Sequence, residues 1–405
     1  MNFVQAHFLT SYAPSNLNRD DTGRNKTAIF GGEERLRTSS QNRKYWVRED
    51  FKLLKGDAAL PLGVRGDRFA VQIRDALVDN GVDAAAAGAA AKAVLSAING
   101  KEREKKAEEP PAEKPESKKN NRRKPGDAAQ GSLNLESAAL QFLSQTEISR
   151  AYAAAEKLAR NPGTEVKAED VLLHADTAVD IAMFGRTFAG NPSYNREAAV
   201  QVMHAITVHA ATVEDDYFTA LGDHRTADES GAVHVGENAF GSGVFYAYLC
   251  VNRALLISNL GGDATLADKA IAALIRSFAT VTPGGKRSNF AAYSYASYVR
   301  IEKGNGQPRT LAGAFENAIR GNNIMADAVE RLRTYAAKID AVYGLTTEFR
   351  DVFVDEVEVT KPAETTEAAS PGKTKAKAKA AANEAHPDTK ARALLAEVIA
   401  FAKAA

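Results

Sequence analysis

Between Leu17 and Arg48 the chain reads LNRDDTGRNKTAIFGGEERLRTSSQNRKYWVR. Arg19, Arg24, Lys26, Arg35, Arg37, Arg43, Lys44 and Arg48 stand there among short polar residues and one Gly-Gly turn. Ser39, Ser40 and Gln41 add neutral donors. Cations mixed with hydroxyl and amide donors suit phosphate and sugar oxygens, a grip that holds a nucleic-acid backbone without reading its bases. The acids Asp20, Asp21, Glu33 and Glu34 come in pairs, so the positive charge is local. A solvated loop with scattered ion pairs is the competing reading of any basic run. The scarcity of apolar residues in Arg19–Thr27 and Arg35–Lys44 favours binding.

Four other groups could do chemistry. Asp20-Asp21, paired carboxylates beside a phosphate site, could hold Mg²⁺ for phosphoryl chemistry; orienting Arg19 and Arg24 is the alternative. His204, His209, His224 and His234 are spaced by 5, 15 and 10 residues, which matches no zinc or helical ligand pattern, so no metal is expected. Gly284-Gly285-Lys286-Arg287 resembles half a phosphate-binding loop. It lacks the upstream glycine and the Ser/Thr after lysine, which argues against nucleotide hydrolysis. Tyr217-Phe218 follow Glu214-Asp215-Asp216 at what reads as the end of a hairpin; core packing is their ordinary role. No cofactor is expected.

These residues need elements to position them. Phe3–Tyr12 alternates with both faces largely apolar, as in a central strand covered on both sides. The basic stretch follows it as a loop. Phe69, Ile73 and Leu77 mark a helix, Asp83 caps an Ala-rich one, and Ser144-Gln-Thr-Glu147 fits a capping box. Val179–Phe184 reads as a short strand, Gly243–Val251 as a central one, and Thr265–Phe278 and Asp327–Ala341 as amphipathic helices. Asp351–Val359 returns to strand alternation. A last helix with Leu394/Val398 and Leu395/Ile399 implies a docking groove on this subunit or a neighbour.

The chain has 405 residues, 44% apolar, with a formal net charge of +1. Overall charge therefore gives no reason to expect a polyanion partner, and a nucleic-acid site must come from local clustering. A mean hydropathy of −0.32 is that of a soluble protein. The single cysteine, Cys250, excludes an internal disulfide and multi-cysteine zinc sites. No run of eighteen apolar residues occurs and Met1–Tyr12 lacks a signal-peptide pattern, so a cytoplasmic, membrane-free protein is expected. Lys101–Gly126, with four prolines and otherwise no apolar side chain larger than Ala, is expected to be disordered.

NLNRDD, AIFGG and RLRTSSQ, followed by VDIAMFGR, HAITVH, DYFTA, HVGENAFGSGVFYAY and PGGKRSNFAAY, resemble in order the CasC family, the backbone subunit of the type I-E CRISPR Cascade complex. The resemblance implies an α+β fold: a ferredoxin-like, RNA-recognition-type palm with a helical finger insertion and a β-hairpin thumb. The palm would occupy 1–46 and 179–357, with the thumb near 203–236. The finger would be 47–178, with a disordered loop at 100–132; a disordered linker (358–386) and a C-terminal helix (387–405) complete the chain.

The function implied is a non-catalytic subunit that oligomerises along CRISPR guide RNA and presents it for pairing with target DNA. Its partners would be further copies of itself and the large, small and guide-processing endonuclease subunits. Matched to the family blocks, Arg19, Lys26, Ser39, Gln41, Lys44, Arg48 and Lys286 are the expected RNA contacts. Tyr217 and Phe218 are the expected base-displacing or subunit contacts of the thumb. Tyr45-Trp46 depart from the family pattern and could stack on a base or pack under the loop. Thr187 stands where a larger apolar wedge belongs. The alternative is a metal-dependent endoribonuclease using Asp20 or Asp21, as in type III relatives.

Overall fold

The computed structural model describes residues 2–100, 135, 140–220, 234–357 and 387–403. The segments expected to be disordered, 100–132 and 358–386, lie outside these residues except for Gly100, as do 221–233 of the hairpin and His224. In chain order the elements are β1 (Phe3–Ser15), β2 (Thr27–Phe30), β3 (Glu33–Thr38), α1 (Ser40–Leu53), β4 (Val64–Gly66), α2 (Phe69–Asp79) and α3 (Ala84–Asn99). Then come β5 (Gln141–Leu143), α4 (Gln145–Arg160), α5 (Ala168–Val171), α6 (Val179–Phe184), β6 (Val200–Val202), β7 (Ala205–Thr207), β8 (Glu214–Ala220) and β9 (His234–Asn252). α7 (Arg253–Asn259), α8 (Ala264–Thr280), α9 (Arg287–Phe290), β10 (Tyr298–Gly304), α10 (Ile324–Tyr343), β11 (Glu348–Phe353) and α11 (Pro387–Lys403) complete the described chain. No helix among the described residues is long and apolar enough to cross a membrane.

The chain forms two compact units. One comprises Met1–Leu60, Ala199–Ser258 and Asp263–Ala405; the other comprises Pro61–Ala198 with Asn259–Gly262. The first unit is built on an antiparallel sheet in the order β11-β10-β1-β9-β7-β3-β2, with β6 and β8 also paired to β9. Its centre, β10-β1-β9 flanked by β6 and β7, has the ferredoxin-like arrangement. β1 is covered on both faces, as its alternation requires. Phe8 meets Phe278 of α8 with ring centroids 5.7 Å apart, while Leu9 packs in a cluster with Tyr246, Phe315 and Leu332 of α10. On that second face the Gln5 Oε1 accepts from the Tyr248 hydroxyl at 2.7 Å and from Arg309 N at 2.7 Å, and the His7 Nδ1 lies 2.9 Å from the Tyr246 hydroxyl. Helices thus occupy both sides of the central strand, leaving no open sheet face there on which bases could lie.

The basic stretch is a loop only up to Lys26; from Thr27 on it is hairpin and helix. Gly31 (φ 62°) and Gly32 (φ 82°) turn the β2–β3 hairpin, and a Cβ on Gly31 would lie 1.6 Å from the Glu316 carbonyl oxygen. Residues from Ser40 on are helical, with Arg43, Val47 and Phe51 buried at i, i+4, i+8. An arginine in the apolar stripe hid the periodicity, because only Val47 and Phe51 read as core. Cys250 is buried, and burial pushes its thiol up to about 11. The strand expected at Asp351–Val359 lies instead at Glu348–Phe353, followed by a 3-10 turn.

α11 docks on its own chain, against α8, β10 and β11, with Val398 and Ala402 buried. The Phe401 ring lies 4.2 Å from the Lys303 ammonium and 5.1 Å from the Arg350 guanidinium. Such pairs combine an aromatic quadrupole with a cation.

The second unit has its own core of Phe69, Ile73, Leu77, Val94, Ile98 and residues of α4. Its edges, at 61 and 198, lie some residues from the expected 47 and 178. Asp83 caps α3, and Ser144 with Glu147 forms the capping box of α4. VDIAMF is α6 and not a strand. Its Asp180 carboxylate accepts from Gly63 N at 2.7 Å, and Gly185 (φ 75°) ends the helix. A buried six-residue apolar run carries no periodicity that separates helix from strand. Thr187 is exposed in this unit.

Candidate nucleic-acid interface

All the expected RNA contacts belong to the first unit. Asn16, at the end of β1, donates from Nδ2 to the carbonyls of Gly23 (3.0 Å) and Ala239 (2.9 Å). The chain then turns: the Asp20 Oδ1 accepts from Thr22 N, the Thr22 hydroxyl and Arg24 N, at 3.0, 2.8 and 3.0 Å. The Thr22 hydroxyl foremost, helped by those amides, holds the Asp20 carboxyl below its ordinary range. Arg19 bridges to Asn25 and remains exposed. Arg24 is not oriented by Asp20-Asp21 through its side chain; its guanidinium reaches Asp215 of β8 at 2.6 Å.

Two arginines of the stretch turn inward, though onto carbonyls and not carboxylates. Arg35, fully buried, donates to Thr207 O (3.0 Å) and Phe315 O (3.1 Å). Arg43 donates to the Tyr12 hydroxyl (3.2 Å) and Phe278 O (3.0 Å), above the Phe278 ring. They anchor the hairpin and α1, and their positive ends are spent there.

The remaining expected contacts of the stretch lie at the N-terminus of α1 or along it. Ser39, expected as a phosphate donor, is its N-cap: its hydroxyl accepts from Asn42 N at 3.2 Å, and its own amide is held by Asn18 Oδ1 at 2.9 Å. The first turn carries no acid, so the positive end of the helix dipole is uncompensated. Gln41 is exposed, and Lys44 and Arg48 are half-buried along the same helix. Burial lowers the Lys44 ammonium below the ordinary lysine range.

His204, between β6 and β7, joins this end, a grouping the linear sequence does not reveal. Its Nδ1 accepts from Ser40 N (3.3 Å) and faces the Arg37 guanidinium (3.1 Å). Desolvation, then Arg37 and Lys26, lower its pKa, so it is neutral near pH 7. A phosphate oxygen at this cluster would favour the imidazolium, and its protonation would free the Ser40 amide for the anion. Affinity for single-stranded RNA is therefore expected to rise as pH falls below neutral, by up to ~10-fold for each unit by which binding raises this pKa. His204→Gln should flatten that rise; an unchanged pH profile in a fluorescence-anisotropy titration would place the proton elsewhere.

The Gly284–Arg287 loop closes the other side. A Cβ on Gly285 would meet Asn16 O at 2.3 Å and Leu17 O at 2.5 Å, so only glycine lets the loop lie against the end of β1. Trp46 packs beside Gly284, and the Arg287 guanidinium lies 4.7 Å from its ring; Trp46 is a packing residue under this loop. Tyr45 beside it is exposed. Lys286 donates from Nζ to Asn238 of β9, at the base of the hairpin.

The hairpin places Tyr217 opposite Glu237 and Phe218 opposite Gly236, within the strands and not at the tip. Tyr217 is 62% exposed; Phe218, 37% exposed, lies across the bare backbone of Gly236. Of the histidines weighed as metal ligands, His209 bonds Ala210 O through Nδ1. No group of three or more potential metal ligands occurs among the described residues.

The family described as CT1975-like protein (Cas_CT1975) matches residues 4–380. Among solved structures, a chain of a CRISPR RNA-guided surveillance complex in a pre-nicking state is 29% identical, with 99% of this chain and all of that one covered at a TM-score of 0.74. A chain of another CRISPR RNA-guided surveillance complex is 25% identical, covering 98% of this chain and 99% of that one at a TM-score of 0.64. No curated protein matches. The sequence and fold are thus similar to those of surveillance-complex components.

Proposed function

The chain belongs to the CT1975-like protein family, and on that premise we propose that it is a non-catalytic subunit coating the guide RNA of a type I-E-like CRISPR surveillance complex. The observation that carries this reading is the gathering of Arg19, Lys26, Arg37, His204, the N-terminus of α1 and Lys286 around the end of β1, beside a hairpin with an exposed aromatic. With helices over both faces of the central strand, these groups can hold phosphates while bases stay free for pairing. Sequence recognition of target DNA then falls to the guide, a division of labour known from other RNA-guided effectors. Copies would assemble head to tail, a contact between unlike surfaces that generates a helix, with large, small and guide-processing subunits as further partners. Isolating the protein from its native cells and sequencing bound RNA tests this: repeat-derived guides are expected, and random transcripts would defeat it.

The Asp20 carboxylate supports the non-catalytic role, because one of its oxygens already shapes the turn through three hydrogen bonds. Incubation with single-stranded RNA and Mg²⁺ is expected to leave the RNA intact. Regular cleavage abolished by Asp21→Ala would establish the endoribonuclease instead.

A further inference from the structure

We propose that Tyr293 and Tyr295 form a base-stacking platform for single-stranded nucleic acid beside the phosphate-holding residues, a proposal that rests on the RNA-coating reading above. The two rings are 68% and 73% exposed, whereas Tyr246 and Tyr298 of the same unit are fully buried. The backbone that carries them is pinned. Ser294 N donates to the Thr282 hydroxyl at 2.9 Å, that hydroxyl reaches back to Ser294 O at 3.2 Å, and Ala296 N donates to Ala279 O at 2.7 Å. A platform already ordered forfeits little entropy on binding.

The surroundings select the occupant. The Arg287 guanidinium sits 4.7 Å from Trp46 and 5.2 Å from Tyr293, and donates to Thr282 O at 2.8 Å. Lys286, which reaches Asn238, lies one residue before it. Between Asp268 and Glu302 the chain has no carboxylate; Arg276 pairs with Asp50 and Arg300 is buried against Glu302, so the positive charge near the rings comes from Lys286 and Arg287. Exposed aromatics in an acid-free, cationic segment match the combination that single-strand binders use: charge for the backbone and π-faces for any base. A surface of a second copy would have to bring carboxylates to the same place.

The test compares two RNA oligonucleotides of equal length, one normal and one with abasic sugars, so that phosphate number is constant. Wild-type protein should bind the normal strand more tightly, by about 5-fold to 150-fold for each base stacked. Tyr293→Ala with Tyr295→Ala should abolish that preference and leave abasic binding and its salt dependence unchanged; Tyr→Phe at both positions should keep it. A preference that survives the alanine pair overturns the platform alone, with RNA coating intact. Wild-type protein that binds neither strand overturns the RNA-coating reading and the platform with it. A drop in sedimenting mass of the alanine pair without RNA would make the patch a contact between copies, and likewise overturn the proposal.

Discussion

Lys26→Ala combined with Lys286→Ala is expected to weaken binding of single-stranded RNA by at least about 100-fold near 0.1 M salt, with the fold intact. Each lysine can make one charge-assisted contact to phosphate, worth roughly 1.5–3 kcal/mol, and ~1.4 kcal/mol is tenfold in affinity. The two lie on opposite sides of the site: Lys26 beside His204 and Arg37, Lys286 on the Gly284–Arg287 loop. Their effects should therefore add. The sharper readout is salt. Single strands release about 0.7 counterion per phosphate neutralised, so the slope of log affinity against log salt should fall in magnitude by about 1.4 in the double variant. A loss of affinity with an unchanged slope would mean that the lysines position other groups without touching phosphate.

Glu147→Ala is expected to destabilise the second unit by about 3–5 kcal/mol, the cost of leaving a buried charge without its partner. Glu147 is fully buried and receives both Arg186 terminal nitrogens, at 2.5 and 2.7 Å. It also accepts from Ser144 N and Leu173 N, so the capping box of α4 fails with it. Arg186 would retain only the carbonyls of Phe142, Leu173 and Tyr194, next to Arg196. Burial, and after it Arg186, already pushes the Arg196 guanidinium down to about 10. In urea the variant should show an early transition that wild type lacks. Adding Arg186→Met should recover much of the ion-pair share, because a buried pair replaced whole by apolar side chains is often close to neutral. The capping share should stay lost.

These two expectations differ in how far the sequence foreshadows them. The cations at Lys26 and Lys286 are legible as candidates because they sit among small polar residues and match family blocks. The capping box of α4 is legible too, since Ser and Glu three residues apart before an apolar pattern satisfy each other's amides. Arg186 as the partner of that same Glu147 is not, because 39 residues separate them. His204 in the site is hidden for the same reason: it meets Ser40 and Arg37 only once β7 pairs with β3.

By itself the sequence determined what depends on neighbours along the chain: the doubly covered first strand, the caps at Asp83 and Ser144, the amphipathic helices that became α8 and α10, and a local excess of positive charge in a nearly neutral protein. Tertiary structure alone decided where each charge went. Arg35 and Arg43 found backbone carbonyls and became anchors, Arg24 found Asp215, and Ser39 became a helix cap. Tertiary structure likewise made hairpin and helix of the expected loop from Thr27 on, and α6 of VDIAMF. Periodicity is written in local spacing, whereas the fate of a guanidinium depends on which acceptor the rest of the chain brings within about 3 Å of it.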